Sequence, residues 1–143
     1  MSLLPRAEVG LSQNADGKDF LAGKQVLIVE DETLVAMLLE DMIADLGGTV
    51  AGSASRVGHA MEILGDPGRG IDLAVLDVNL GGEDAFPIAA ALAERGVPFA
   101  FSTGYGSGGL PDQWRTRPVL QKPFTEEQVR AVLSRALAEG APC

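Results

Sequence analysis

The sequence predicts one α/β domain built around a parallel β-sheet with helices on both faces. Two observations carry this. Short, continuously apolar, β-rich runs such as Val26-Leu27-Ile28-Val29 recur along the chain, the composition of strands buried on both faces. Between them lie stretches whose apolar residues repeat at helical spacing, and strands alternating with helices imply parallel pairing through right-handed crossovers. A length of 143 residues allows one sizeable core and is too short for two ordinary domains.

Residues 1–23, with Pro5, Gly10, Asn14, Asp16, Gly17 and Gly23 among scattered apolar side chains, read as a leader or linker. Residues 24–139 read as the domain and 140–143 as a tail. The first strand, Val26–Val29, runs into Glu30-Asp31-Glu32. Val35, Leu38, Leu39, Met42, Ile43 and Leu46 then recur at helical spacing until Gly47-Gly48 stops the helix. Thr49–Ser53 reads as the second strand and Val57–Leu64 as a helix ended by Gly65, Asp66 and Pro67. Ile71–Leu76 is the third strand, ending at Asp77. Gly81-Gly82 makes a loop, and an alanine-rich helix follows over Asp84–Arg95. Pro98–Ser102 is the fourth strand, Val119–Gln121 a short fifth, and Glu126–Leu137 a final amphipathic helix. Five such units fit a flavodoxin-like (βα)5 three-layer sandwich with strand order 2-1-3-4-5, whose functional crevice lies beyond the carboxyl ends of strands 1 and 3. The fourth unit is irregular. Gly104 to Pro111 holds four glycines and a proline in eight residues, which disfavours a helix, so helix 4 is expected to be missing or vestigial and the segment mobile.

The net charge is -9, with only 11 Lys and Arg residues, which argues against direct contact with nucleic acid. The single cysteine, Cys143, excludes an intrachain disulfide and a cysteine-rich zinc site. No apolar run reaches the ~20 residues that span a bilayer, and no signal-peptide pattern opens the chain, so no membrane role and a cytoplasmic location are expected.

The residues at the predicted strand ends carry the chemistry. Strand 1 ends in Glu30 and Asp31, strand 3 in Asp77, strand 4 in Ser102-Thr103 and strand 5 in Lys122-Pro123. The predicted order converges them on one crevice. Clustered carboxylates repel unless a cation intervenes. Hard oxygen donors without histidine or thiolate suit Mg²⁺. Thr103 offers a hydroxyl and Lys122 a compact positive charge for phosphate oxygens. A carboxylate in such company can act as a nucleophile toward phosphorus. Each piece alone has a plainer reading: the acidic pair as a solvated helix start, Asp77 as a turn residue, Thr103 as a strand end, Lys122 as surface. Their joint occurrence on four strand ends is what argues for a site.

The segments Val-Leu-Ile-Val-Glu-Asp-Glu (26–32), Leu-Asp-Val-Asn-Leu-Gly-Gly (76–82), Ser-Thr-Gly (102–104) and Gln-Lys-Pro-Phe (121–124) resemble the motifs of bacterial response-regulator receiver domains, and the resemblance runs from about Lys24 to Leu137. It implies Asp77 as phosphoacceptor and Asp31 as a direct Mg²⁺ ligand, with Glu30 assisting and the backbone carbonyl of Asn79 as a further ligand. It also implies that Thr103 and Lys122 contact the phosphoryl group, and that a cis bond precedes Pro123. Pro98-Phe99-Ala100-Phe101-Ser102-Thr103-Gly104-Tyr105 further resembles the Pro-Phe-x-Phe-Ala-Thr-Gly-Tyr motif of receivers associated with HWE-type histidine kinases, with Ser102 in place of the alanine. Two features depart from the general pattern: Val119 stands where an aromatic often couples to the threonine, and the fourth helix is lost. Phe101 and Tyr105 are candidate substitute aromatics.

The implied function is a phosphorylation-controlled switch in two-component signalling, not a turnover enzyme. A histidine kinase or histidine phosphotransfer protein would donate to Asp77, and a downstream protein would read the result. A monomer or weak homodimer is expected. Two other classes compete. A haloacid-dehalogenase-type phosphatase uses similar residues, but Val78-Asn79 after Asp77 lacks its second aspartate, and no cap insertion is present. A binding module that never takes phosphate would not need the complete constellation. His59, the only histidine, reads as a surface or packing residue, Trp114 as a pin for the irregular segment, the methionines of the first helix as core or its edge, and Arg115 and Arg117 as flanking the crevice side.

Overall fold

The computed structural model describes residues 20–104 and 110–139. The expected leader before Phe20, residues 105–109 with the candidate aromatic Tyr105, and the tail from Gly140 lie outside the described residues. Five parallel strands form one sheet: β1 (Gln25–Val29), β2 (Thr49–Ala54), β3 (Leu73–Asp77), β6 (Phe99–Thr103) and β7 (Val119–Gln121), in the order β2-β1-β3-β6-β7. With the small hairpin β4 (Asn79–Leu80) and β5 (Glu83–Asp84) set aside, this is the expected 2-1-3-4-5 order. Among the described residues, four α-helices flank the sheet: α1 (Thr33–Asp45), α2 (Val57–Gly65), α3 (Phe86–Glu94) and α4 (Glu126–Glu139).

Strand alternation divides the interior in two. Leu27, Val29, Ala74, Leu76, Phe99 and Phe101 face α2 and α3. Val26, Ile28, Leu73, Val75, Ala100 and Leu120 face α1 and α4. The helical stripe expected on α1 holds at Leu39, Ile43 and Leu46, but Leu38 is 44% exposed and Ala36 is the residue buried in the first turns. Leu38 turns instead toward the loop after β7, where with Val35 and Phe124 it lines a shallow groove. Met37 is also exposed rather than core.

Several boundaries shift for local reasons. The third strand begins at Leu73, not Ile71, because Asp72 closes against β1: its Oδ2 accepts the Gln25 N–H at 2.8 Å and its own N–H donates to the Gln25 carbonyl at 2.8 Å. Gly81-Gly82 forms a two-residue hairpin rather than an open loop. Both glycines have positive φ (60° and 97°), the mirror-image turn that glycine alone adopts freely. Two-residue strands are too short to leave a periodic signal. The hairpin also delays α3, whose Phe86 N–H is taken by Asp84 Oδ1 at 3.1 Å.

Among the described residues, the β6–β7 connection holds a 3-10 turn, Asp112–Trp114, and no α-helix. Its apolar side chains fill the space instead. Leu110 and Trp114 are buried, and Trp114 meets Phe99 and Phe101 edge-on at 5.9 and 6.2 Å between ring centroids. Arg117 covers the cluster, its guanidinium 4.6 Å from the Phe99 centroid, while Arg115 donates to the Leu110 carbonyl at 3.0 Å. Trp114 thus pins the segment as expected.

The last helix starts with a reciprocal cap: Gln128 N–H donates to Thr125 Oγ1 at 3.2 Å and Thr125 N–H to Gln128 Oε1 at 2.8 Å. Replacing Thr125 by alanine is expected to cost about 1 kcal/mol, read as a lower urea midpoint at unchanged slope.

Candidate functional site

The site lies at the carboxyl ends of the sheet. Because β1 and β3 are neighbours, their terminal acids meet; because β6 and β7 follow, a threonine and a lysine arrive beside them. Glu30 leaves β1 with its N–H bonded to the Ala54 carbonyl at 2.9 Å and is 2% exposed. Asp31, next in sequence, is exposed. Asp77 is the last residue of β3 and 5% exposed. One carboxylate oxygen of each of these three residues lies within 4.8 Å of the others, and the cluster can hold a metal ion.

Lys122 is the cation that faces this cluster. Its Nζ lies 3.1 Å from Asp77 Oδ2, 3.1 Å from Glu30 Oε1 and 3.7 Å from Glu32 Oε1. Backbone donors share the work: Asn79 N–H donates to Asp77 Oδ1 at 3.2 Å and Glu32 N–H to Glu30 Oε2 at 3.1 Å. Burial, and then the hydrogen bond shared with Asp77, push the Glu30 carboxyl up to about 7, against the pull of the Glu32 N–H and Lys122. For Lys122, burial works against the charge, but the hydrogen bonds to Glu30 and Asp77 outweigh it and hold the ammonium above its ordinary range.

An open cleft of about 440 Å³ lies over the cluster, lined by Asp31, Asp77, Asn79, Thr103, Gly104 and Lys122 among others. Thr103 closes β6, is 5% exposed, and its carbonyl accepts the Lys122 N–H at 2.9 Å, which ties the threonine to the lysine. The Lys122–Pro123 bond is cis. The hairpin turn forms the rim: Gly82 N–H donates to Asn79 Oδ1 at 3.0 Å, and Gly81 lies against Asp31.

All six residues singled out from the sequence therefore gather at one place. Glu30 lies beneath the cleft floor, at the edge of a second depression between α1 and α2 that also includes the exposed His59. Arg115 and Arg117 do not line the cleft; Arg117 belongs to the aromatic cluster. Two nearby residues had been assigned no role. Glu32 reaches Lys122, and its signal was its place as third acid in the run after β1. Ser102, expected at the end of the fourth strand, is fully buried, and the strand register pairs it with Asp77.

No family model matches the chain. Individual proteins do. The phyllosphere-induced regulator PhyR of Methylorubrum extorquens is 34% identical over 116 residues, 79% of this chain and 43% of PhyR. The solution structure of SdrG from Sphingomonas melonis Fr1 is 47% identical with a TM-score of 0.70, covering 83% of this chain and 97% of SdrG. The receiver domain of the Erythrobacter litoralis PhyR response regulator is 31% identical with a TM-score of 0.73, covering 85% of this chain and 95% of that domain. The chain spans about half the length of the curated relatives it matches (43%, 53% and 49%). With the strand order, the acidic cluster and these likenesses together, the chain belongs to the response-regulator receiver domains of two-component signalling.

Proposed function

We propose that this chain accepts a phosphoryl group on Asp77 from a phosphohistidine donor in a Mg²⁺-dependent reaction, and that the modification switches a surface read by another protein. The observation that carries this is the juxtaposition of three carboxylates with one ammonium 3.1 Å from Asp77, under an open cleft. The donor set fits Mg²⁺: it is all carboxylate oxygen, without histidine or cysteine. Asp31, Asp77, the backbone carbonyl of Asn79 and, less directly, Glu30 would hold the ion. When bound, it supplies positive charge that neutralises the carboxylates and the incoming phosphoryl oxygens.

In the reaction an Asp77 carboxylate oxygen attacks phosphorus. The new bond is oxygen to phosphorus; the bond from phosphorus to the donor's imidazole nitrogen breaks, and its electron pair stays on that nitrogen. Lys122, already paired with Asp77, follows the negative charge outward onto the phosphoryl oxygens. The Thr103 hydroxyl, at the cleft wall, would donate to another of them. The domain changes only its own phosphorylation state and turns over no separate substrate. The Pro98–Tyr105 motif supports an HWE-type histidine kinase as donor, with a histidine phosphotransfer protein as the other source, and a cytoplasmic setting follows from such a donor. Among the described residues no helix is long and apolar enough to cross a membrane.

The test is incubation with a small acyl-phosphate donor and Mg²⁺, followed by intact-mass measurement. Wild type is expected to gain one phosphoryl group and Asp77→Asn none. A wild type without the gain would favour a binding module that needs no phosphate, and steady turnover of an ordinary phosphate ester would favour a hydrolase.

A further inference from the structure

Ser102 poses a problem that its neighbours do not. It is completely buried, and its Oγ has no hydrogen-bond partner among the described residues. A buried hydroxyl without a partner costs free energy, so folding alone would favour an apolar residue here. Its place in the sheet suggests what the hydroxyl is for. Ser102 is paired in register with Asp77 on one side and Leu120 on the other. Alternation along β6 puts Phe101 on the α2–α3 face and Ala100 on the α1–α4 face, so Ser102 shares the face of Ala100. Asp77, two residues after Val75, projects from that same face. The orphaned hydroxyl is therefore the next side chain along the sheet from the reacting carboxylate.

In the unphosphorylated site both Asp77 oxygens are already engaged, Oδ1 by the Asn79 N–H at 3.2 Å and Oδ2 by Lys122 at 3.1 Å. Phosphorylation changes that arrangement. One oxygen becomes the bridge to phosphorus, the other an uncharged carbonyl, and the negative charge moves onto the phosphoryl group. Lys122 is drawn after the charge, which withdraws a donor from the buried carboxyl oxygens of Asp77 and Glu30. A donor without an acceptor then stands beside acceptors that have lost a donor.

We infer that Ser102 is a positioning residue for the phosphorylated state: its hydroxyl takes up the acceptor that Lys122 releases when Asp77 is phosphorylated. The inference rests on the phosphoacceptor reading of Asp77. A bond formed in one state and not in the other stabilises the state that has it, so Ser102 lengthens the life of the acyl phosphate at a small cost to the resting protein.

The experiment compares wild type with Ser102→Ala. Thermal melting is recorded with Mg²⁺ alone and with Mg²⁺ plus beryllofluoride, a phosphoryl mimic, and the decay of the acyl phosphate is followed by intact mass. Ser102→Ala is expected to melt no lower than wild type in the resting state, to lose part of the beryllofluoride-induced rise, and to shorten the phosphoryl half-life about fivefold, the effect of one net hydrogen bond. An unchanged rise and half-life would overturn the role of Ser102 while leaving Asp77 as phosphoacceptor. A lower resting melting temperature with an unchanged rise would make the serine a packing residue and overturn it too. A wild type that gains no phosphoryl mass would overturn both readings together.

Discussion

Phe101→Ala is expected to destabilise the domain by about 3–5 kcal/mol, a large share of the ~5–15 kcal/mol that separates a typical native domain from its unfolded chain. Phe101 is fully buried in β6, with Phe99, Phe86 and Trp114 edge-on around it at 5.4, 6.1 and 6.2 Å. Its loss removes the transfer energy of the ring and leaves a cavity lined by rings that cannot all collapse inward. They are held by one strand position, a helix start and a 3-10 turn. The consequence reaches the site, because Ser102 and Thr103 follow directly on the same strand. Urea denaturation followed by Trp114 fluorescence checks it, since Trp114 is the only tryptophan and belongs to the affected cluster. Met37→Ala, on the exposed side of α1, should shift stability by no more than about 0.5 kcal/mol. Equal effects at the two positions would contradict the packing described.

The second large effect is a pH dependence of the metal-free protein. The Glu30 carboxyl is pushed from its ordinary 4.5 to about 7 in the folded chain, so the folded state holds this proton more tightly than the unfolded state does. The stability it contributes is fully present below about 4.5 and is lost as pH rises through about 7, with a total on the order of 3 kcal/mol. Lys122 does not reverse the trend, because its ammonium is held above its ordinary range and stays charged throughout that window. Melting temperature measured in chelator should therefore fall between about pH 5 and pH 8, and Glu30→Gln should flatten the slope by removing the titrating group. An unchanged slope in Glu30→Gln would place the effect elsewhere. Added Mg²⁺ is expected to raise melting more at the alkaline end, where the carboxylates are ionised, by binding the folded site alone. Asp31→Ala should abolish most of that gain.

The two effects mark two parts of the molecule that the sequence disclosed unequally. The strands were legible because β-branched apolar runs such as Val26–Val29 have no solvent-facing side to disguise them. The site was legible because its residues follow those runs immediately: Glu30 and Asp31 after β1, Asp77 at the end of β3, Thr103 at the end of β6, Lys122 after β7. The hairpin after β3 was not, because its strands are two residues long and only the paired glycines record it. Leu38 shares the helical spacing of the buried residues of α1 but not their burial, because periodicity finds a stripe and not its edges.

By itself the sequence determined the order of strands and helices, the residues that arrive at the strand ends, and the absence of helix-forming composition between β6 and β7, since each depends on local composition and spacing. Tertiary structure alone decided the rest. It put Lys122 within 3.1 Å of both Glu30 and Asp77, and it filled the irregular connection with Trp114 packed on Phe99 and Phe101. It set Ser102 beside Asp77 with a hydroxyl that no described neighbour engages. These are contacts between strands far apart in the chain, set by sheet register and burial, and register is a property of the assembled sheet that no single segment contains.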